Sequence, residues 1–290
     1  MIAKTTKWLS WLLCCCLCLG SYEATAQKNK KDKGGDGEPQ CLKDLPKFFV
    51  DDAVFPAYLK QIYKEDATRL AIRMLNKEQR IAKQTVRVPE ELVRAIYNAL
   101  IAVRISDYGA IDTVAKTYYV RTFPVPSVNS VILLFEHDAE WAKPLQEKKD
   151  STGSVEINRV IREFNLVMSK MVYLDEERKG LVLQSREPLN VPALMHKLYM
   201  DVGIGCVEEN APYGDGNDIS IERTKENGWK IVYSVRFGNC LNQCPKFRNW
   251  EFNVSNGGEV TYVGSTGETI PPWVTAPAQA KKYPDVPKTK

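Results

Sequence analysis

Between residues 219 and 263 polar and apolar side chains alternate with a period of two, a pattern that suits a sheet with one covered face and little else. Ile219 to Arg223 and Trp229 to Phe237 flank Asn227-Gly228, the pair of residues that best fits a two-residue hairpin turn. Trp229, Ile231, Tyr233 and Val235 point one way, while Lys230, Ser234 and Arg236 mostly point the other. Asn249 to Val254 and Glu259 to Val263 flank a second glycine turn, Asn256-Gly257-Gly258. Residues 211–270 are therefore expected to form an antiparallel β-meander.

Upstream the period changes. Pro89 stands where a helix begins, Glu90 and Glu91 lie where its dipole favours negative charge, and Leu92, Ile96, Ala99, Leu100 and Val103 make one buried stripe. Asp66 is read as the cap of an earlier helix carrying Leu70, Ile72, Met74 and Leu75. Residues 41–117 are thus a helical region. From 118 the chain reads as strands and helices: Tyr118 to Phe123, the apolar run Ser130 to Phe135, a helical turn at Glu140-Trp141, and a helix through Ile157, Val160, Ile161 and Phe164. Strands Val167 to Leu174 and Leu181 to Ser185 follow, then a helix Val191 to Met200 capped by Asn190, then a strand Gly205 to Glu209. Strand, helix, hairpin, helix, strand is the order of a ferredoxin-like split βαβ unit, placed at 118–210. The fold class expected is α+β: N-terminal helices, that unit, and a C-terminal meander stapled by disulfides.

Residues 1–26 have the three parts of a secretion signal: Lys4 and Lys7, an apolar core from Trp8 to Leu19, and Ala24-Thr25-Ala26, with cleavage expected near Ala26. The core is shorter than the ~20 residues a bilayer span needs. The residues before Cys14, Cys15, Cys16 and Cys18 are not the small residue that lipidation requires, so a cleaved leader is expected rather than a lipoprotein. No stable membrane span is expected after cleavage, and the location expected is periplasmic or extracellular. Residues 27–40, Lys- and Gly-rich, read as a flexible tether, and residues 271–290, with five prolines, as a disordered tail. Losing Lys4, Lys7 and Glu23 with the leader takes the formal charge from +4 to +3, concentrated in the tails, so no basic stripe for nucleic acid is expected.

Cys41, Cys206, Cys240 and Cys244 remain after the leader, an even number suited to an oxidising compartment. Three pairings are open. Cys240 with Cys244 and Cys41 with Cys206 is the favoured one, because the three residues between Cys240 and Cys244 can close a small loop.

Chemistry is harder to find. Val263-Gly264-Ser265-Thr266-Gly267 lacks the glycine two before the serine that a nucleophile elbow needs. His137 reads as a turn residue and His196 as a helix residue. Asp215, Asn217 and Asp218 resemble the start of a calcium loop, yet counting from Asp215 the sixth position is Ser220 rather than glycine, which excludes an EF-hand. With Glu208 they stay candidate ligands for calcium or another ligand; no other cofactor is implied. Trp229 and Trp250, at alternating strand positions, read first as core residues and second as partner contacts, and Trp273 in the tail is a candidate partner contact.

Thr122-Phe123-Pro124, Val131 to Trp141, Thr152-Gly153, Pro188-Leu189-Asn190, Gly214 to Ile219 and Gly238 to Phe252 together resemble a family of uncharacterised exported proteins of Gram-negative bacteria. Asn239 stands where that pattern has an acidic residue, and the proline expected after Cys240 is missing. The resemblance covers about 85–265 and implies the domain but no reaction. Leu189 to Asn210 is also similar to the close of subtilisin-type propeptides, ferredoxin-like modules that bind and inhibit a protease. The expectation is an exported non-enzymatic module that binds a protein or another envelope component. The alternatives are a carboxylate-dependent envelope hydrolase, calcium-assisted or not, and a protease-inhibitor-like module.

Overall fold

In the computed structural model of the protein, which describes residues 39–78, 85–123, 127–147, 149, 151–204, 207–209, 216–240 and 244–274, helices and strands far apart in the chain share one core. The helices are α1 (Ala57–Glu78), α2 (Glu90–Ile105), α3 (Gly109–Asp112, continued by a π-turn at Thr113–Thr117), α4 (Lys143–Gln146), α5 (Val155–Glu163) and α6 (Val191–Val202). The strands are β1 (Ser130–Glu136), β2 (Val167–Tyr173), β3 (Arg178–Gln184), β4 (Val207–Glu209), β5 (Asp218–Arg223), β6 (Trp229–Phe237), β7 (Lys246–Val254) and β8 (Val260–Gly267). None of the described helices is long and apolar enough to cross a membrane.

The meander forms as its alternation demands: an antiparallel sheet in the order β5-β6-β7-β8. Trp229, Ile231, Tyr233, Val235 and Phe237 of β6 are all buried, and Ile231 lies between Ile221 and Phe252 in register. At the β5–β6 turn Asn227 has φ 59°, and a Cβ on Gly228 would stand 2.4 Å from the Val254 carbonyl oxygen, so only glycine fits. The apolar face is covered by α1 and α2, which supply Leu59, Tyr63, Leu70, Met74, Leu92, Ile96, Leu100 and Val103 to the same core. α2 is buried almost all round, well beyond the single stripe its spacing suggests.

A second core belongs to a module inserted between those helices and that meander. Its sheet is antiparallel throughout, in the order β2-β3-β1-β4, with α5 joining β1 to β2 and α6 joining β3 to β4, which is the ferredoxin-like split βαβ topology. Val131, Leu133, Phe135, Leu181 and Leu183 face Ile157, Val160, Leu194 and Leu198 of the two helices. Ser154 caps α5 by accepting from the Ile157 N–H at 3.2 Å, and Gly203, at φ 75°, ends α6. The helical region and the meander, which read as separate stretches, are therefore two parts of one body.

Three expectations are corrected. Asp66 does not cap a helix: α1 starts at Ala57, and Asp66 sits in its middle, 1 % exposed. Tyr118 to Phe123 is not a strand. Tyr119 is at φ 48°, and the Thr122 and Phe123 N–H groups go to the carboxylates of Asp66 and Asp218 instead of a neighbouring strand. The Cys240–Cys244 bridge is present at the β6–β7 connection, but Cys41 is a free, buried thiol, so the expected bridge from it to Cys206 is not formed. Cys41 packs into the helix–meander core, with its backbone N–H donating to Glu78 Oε2 at 2.8 Å. Cys206, the leader and tether to residue 38 and the tail from 275 lie outside the described residues.

Burial, reinforced by the nearby Glu78 carboxylate, pushes the Cys41 thiol up to about 12. The folded state thus holds this proton where an unfolded chain, with a thiol near ~8.5, releases it, so Cys41 costs stability as pH rises from about 8.5 towards 12. A thiol-reactive probe at about pH 8 should leave Cys41 unmodified in the folded protein and modify it after denaturation, read by peptide mass mapping. Modification of Cys41 in the native state would contradict this burial.

Candidate functional site

The polar face of α1 meets the 121–123 loop and the start of β5, and the charged groups of the fold converge there. Arg73 Nη1 donates to the Ile219 carbonyl at 2.9 Å and to Asp218 Oδ1 at 3.1 Å, while Nη2 donates to the Phe123 carbonyl at 2.6 Å. Asp218 Oδ1 also accepts the Phe123 N–H at 2.7 Å. Two helix turns closer to the N-terminus, Asp66 Oδ1 accepts the Thr122 hydroxyl at 2.7 Å and the Thr122 N–H at 3.2 Å, and Oδ2 takes Arg121 Nη1 at 3.2 Å. The Arg121 guanidinium lies over the rings of Tyr63, at 4.5 Å, and Tyr119, at 4.7 Å. Burial alone would depress that guanidinium, but the oxygens of Tyr63, Asp66 and Tyr119 outweigh it and hold Arg121 above its ordinary range. Burial also pushes the nearby Tyr233 hydroxyl well up, and among the described residues that hydroxyl has no hydrogen-bond partner.

The junction with the inserted module is pinned by neutral groups and one exposed pair. Asn190 Nδ2 donates to Asn76 Oδ1 at 3.1 Å, and the Asn190 N–H to the Val86 carbonyl at 2.8 Å. Arg87 bridges Leu189 through its backbone and pairs with Glu187 at 2.8 Å.

The sequence candidates are only partly brought together. Asp218 is committed to Arg73, and Asn217 Oδ1 accepts the Arg236 N–H at 2.9 Å, so both hold the fold. Glu208 lies on β4, in register with Ile132 of the neighbouring β1, and its side chain and Asp215 lie outside what is described. Among the described residues no group of three His, Cys, Asp or Glu is placed to hold a metal. Trp229 and Trp250 are core residues, the first of their two readings, and not partner contacts: their strand positions face α1 and α2, leaving them 0 % and 8 % exposed. Trp273 is exposed. His137 follows β1, with its N–H donating to the Glu177 carbonyl, and His196 lies on α6.

Asp66, Arg73 and Arg121 were missed from sequence. The signal was there for Asp66, a carboxylate one helix turn from both Tyr63 and Leu70 in an apolar stripe. Arg73 and Arg121 carry no such mark, since arginines on a polar helix face or in a loop are common.

Above the junction, α1 and the segments 127–129 and 186–188 enclose a cleft of about 410 Å³. Gln61, Lys64, Thr68 and Arg69 reach it from α1, and Asn129 and Arg186 from the module. A second cleft of about 630 Å³ lies on the far side of the same turn, with Arg162 and Asn165 in its wall.

Replacing Asp218 with alanine should lower stability by about 2 kcal/mol, because it strips the charged acceptor from Arg73 and the Phe123 N–H together. Chemical denaturation measures this, and a change under about 0.5 kcal/mol would mean that the packing of α1 on β5 does not depend on the carboxylate.

No protein-family model, curated protein or solved structure matches the chain.

Proposed function

We propose that this protein is a non-enzymatic binding module of the bacterial envelope, exported to the periplasm or beyond, that recognises a protein or another envelope component at the junction of its two cores. The observation that carries this is the state of Asp66 and Asp218. Each is neutralised by an arginine and consumed by backbone and hydroxyl donors that tie α1 to the 121–123 loop and β5, so neither carboxylate is free beside the polar cleft that opens between α1 and the inserted module. A general acid or a metal-binding carboxylate needs a free lone pair or proton facing a substrate. The Cys240–Cys244 bridge supports export, since such links persist in oxidising compartments, and the resemblance to exported proteins of Gram-negative bacteria points the same way.

Chemical cross-linking in the native envelope tests this, with the cross-linked peptides mapped by mass spectrometry. Adducts that concentrate on α1 and on 185–188 are expected. Turnover in a hydrolase substrate panel that disappears in Glu208→Ala would overturn the reading in favour of a carboxylate hydrolase.

A second reading is favoured by the module's topology. One face of its sheet is covered by α5 and α6, while Ile132, Leu134 and Val172 on the opposite face, packed around Gly180, are only half-buried. The same β-α-β-β-α-β order is that of the propeptide modules which the sequence resembles, and it supports a protease-inhibitor role. Dose-dependent inhibition of a purified subtilisin-type protease is the expected result, and none at micromolar protein would remove it.

A further inference from the structure

Resting on the binding reading, we propose that the cleft between α1 and the 185–188 turn is a site for an acidic saccharide: a sugar-sized polyol carrying one oxyanion, phosphate or carboxylate. Three cations reach it, Lys64, Arg69 and Arg186. Arg69 is already engaged, with Glu65 Oε2 at 3.3 Å and with Asp66 at 3.9 Å. Among the described residues Lys64 and Arg186 have no partner, and they reach the cleft from opposite walls. The one carboxylate in the wall, Glu65, is occupied by Arg69 and by the Gln61 amide at 3.1 Å. The cleft therefore presents two uncompensated positive charges and no free negative one.

The rest of the lining decides what kind of anion suits it. Among the described residues Val128 and Pro188 are the only apolar side chains in its lining, whereas Ser127 and Asn129 bring a hydroxyl and an amide. Thr68, 1 % exposed, donates its hydroxyl to the Lys64 carbonyl at 2.8 Å and only closes the floor, whereas Ser127 Oγ donates to Asn129 Oδ1 at 2.9 Å and leaves the Asn129 amide donors for a ligand. A lipid chain or an aromatic ligand would meet little apolar surface, while a hydroxyl-rich ring with a charged substituent meets donors and acceptors on both walls. A volume of about 410 Å³ lies in the range of small-molecule sites and is large enough for a monosaccharide. Charge attraction in so open a cleft is screened by salt, so affinity is expected to be modest and to fall as ionic strength rises.

Calorimetric titration of the full-length mature protein with glucose 6-phosphate, galacturonate and neutral glucose tests the assignment. Binding of one anionic sugar with a Kd in the millimolar range or tighter, at least about tenfold better than glucose, is expected. Whichever of the two binds better identifies the oxyanion. The Lys64→Glu/Arg186→Glu double variant should weaken that binding by about tenfold or more, with an unchanged melting temperature because neither side chain supports the fold. Lys64→Arg/Arg186→Lys should retain it. No binding of either anionic sugar at about 10 mM, equal binding of glucose, or unaltered affinity in the double charge reversal would overturn the proposal. Envelope cross-links that still concentrate on α1 and 185–188 while these titrations fail would reject the saccharide and leave the binding-module reading standing.

Discussion

Asp66→Leu should destabilise the protein by about 3–5 kcal/mol and lower its melting temperature by about 10 °C. The carboxylate is 1 % exposed and has three donors within 3.2 Å: the Thr122 hydroxyl, the Thr122 N–H and Arg121 Nη1. Leucine fills a similar volume but leaves a buried guanidinium facing Tyr63 and Tyr119 with no countercharge, which costs far more than the ion pair itself contributes. The Asp66→Leu/Arg121→Met double variant should accordingly recover a large part of the loss, because the charge is removed along with its partner. Thermal melts of the three proteins give the coupling directly. A single variant within about 1 kcal/mol of wild type, or a double variant as damaged as the sum of its parts, would show that the two residues act independently.

Trp229→Ala should cost about 3–5 kcal/mol, the usual range for emptying a large aromatic site in a core. Trp229 is 0 % exposed at the start of β6, paired with Arg223 on one side and Val254 on the other, and the Arg223 guanidinium lies 4.7 Å from its ring centroid. Its indole N–H is buried without an acceptor among the described residues, so Trp229→Phe gives up volume but no hydrogen bond and should cost less than about 2 kcal/mol. A contact residue for a partner would behave in the opposite way: alanine would leave folding untouched and abolish binding. Urea denaturation of the two variants distinguishes these outcomes.

These two residues mark the boundary between what was readable in advance and what was not. The meander was legible because its signals are local. Asn227-Gly228 sets a tight turn, and alternation from Trp229 to Phe237 assigns every side chain of β6 to a face. The ferredoxin-like order was legible for the same reason, since each strand and helix announces itself by its own period. Trp229 and Trp250 were open to two readings because alternation says which residues share a face but not whether that face meets solvent or helices. The stretch Tyr118 to Phe123 misled because β-branched and aromatic residues favour extended backbone, yet an extended segment becomes a strand only when a neighbour offers it a ladder. Here the carboxylates of Asp66 and Asp218 take its N–H groups instead. The candidate cleft was not legible at all, since Lys64 and Arg186 are more than a hundred residues apart and neither carries a local pattern.

From sequence alone, local periodicity and turn chemistry determined the α+β class, the order of the elements and the five-residue Cys240–Cys244 loop. Tertiary structure alone decided that the helices and the meander close over one core with the split βαβ module inserted between them, and that Cys41 stays a thiol. It also decided that Asp66 and Asp218 serve as anchors. The reason is physical: turns and periods are set by neighbours within a few residues, whereas burial, charge pairing and clefts depend on which distant segments the chain brings together.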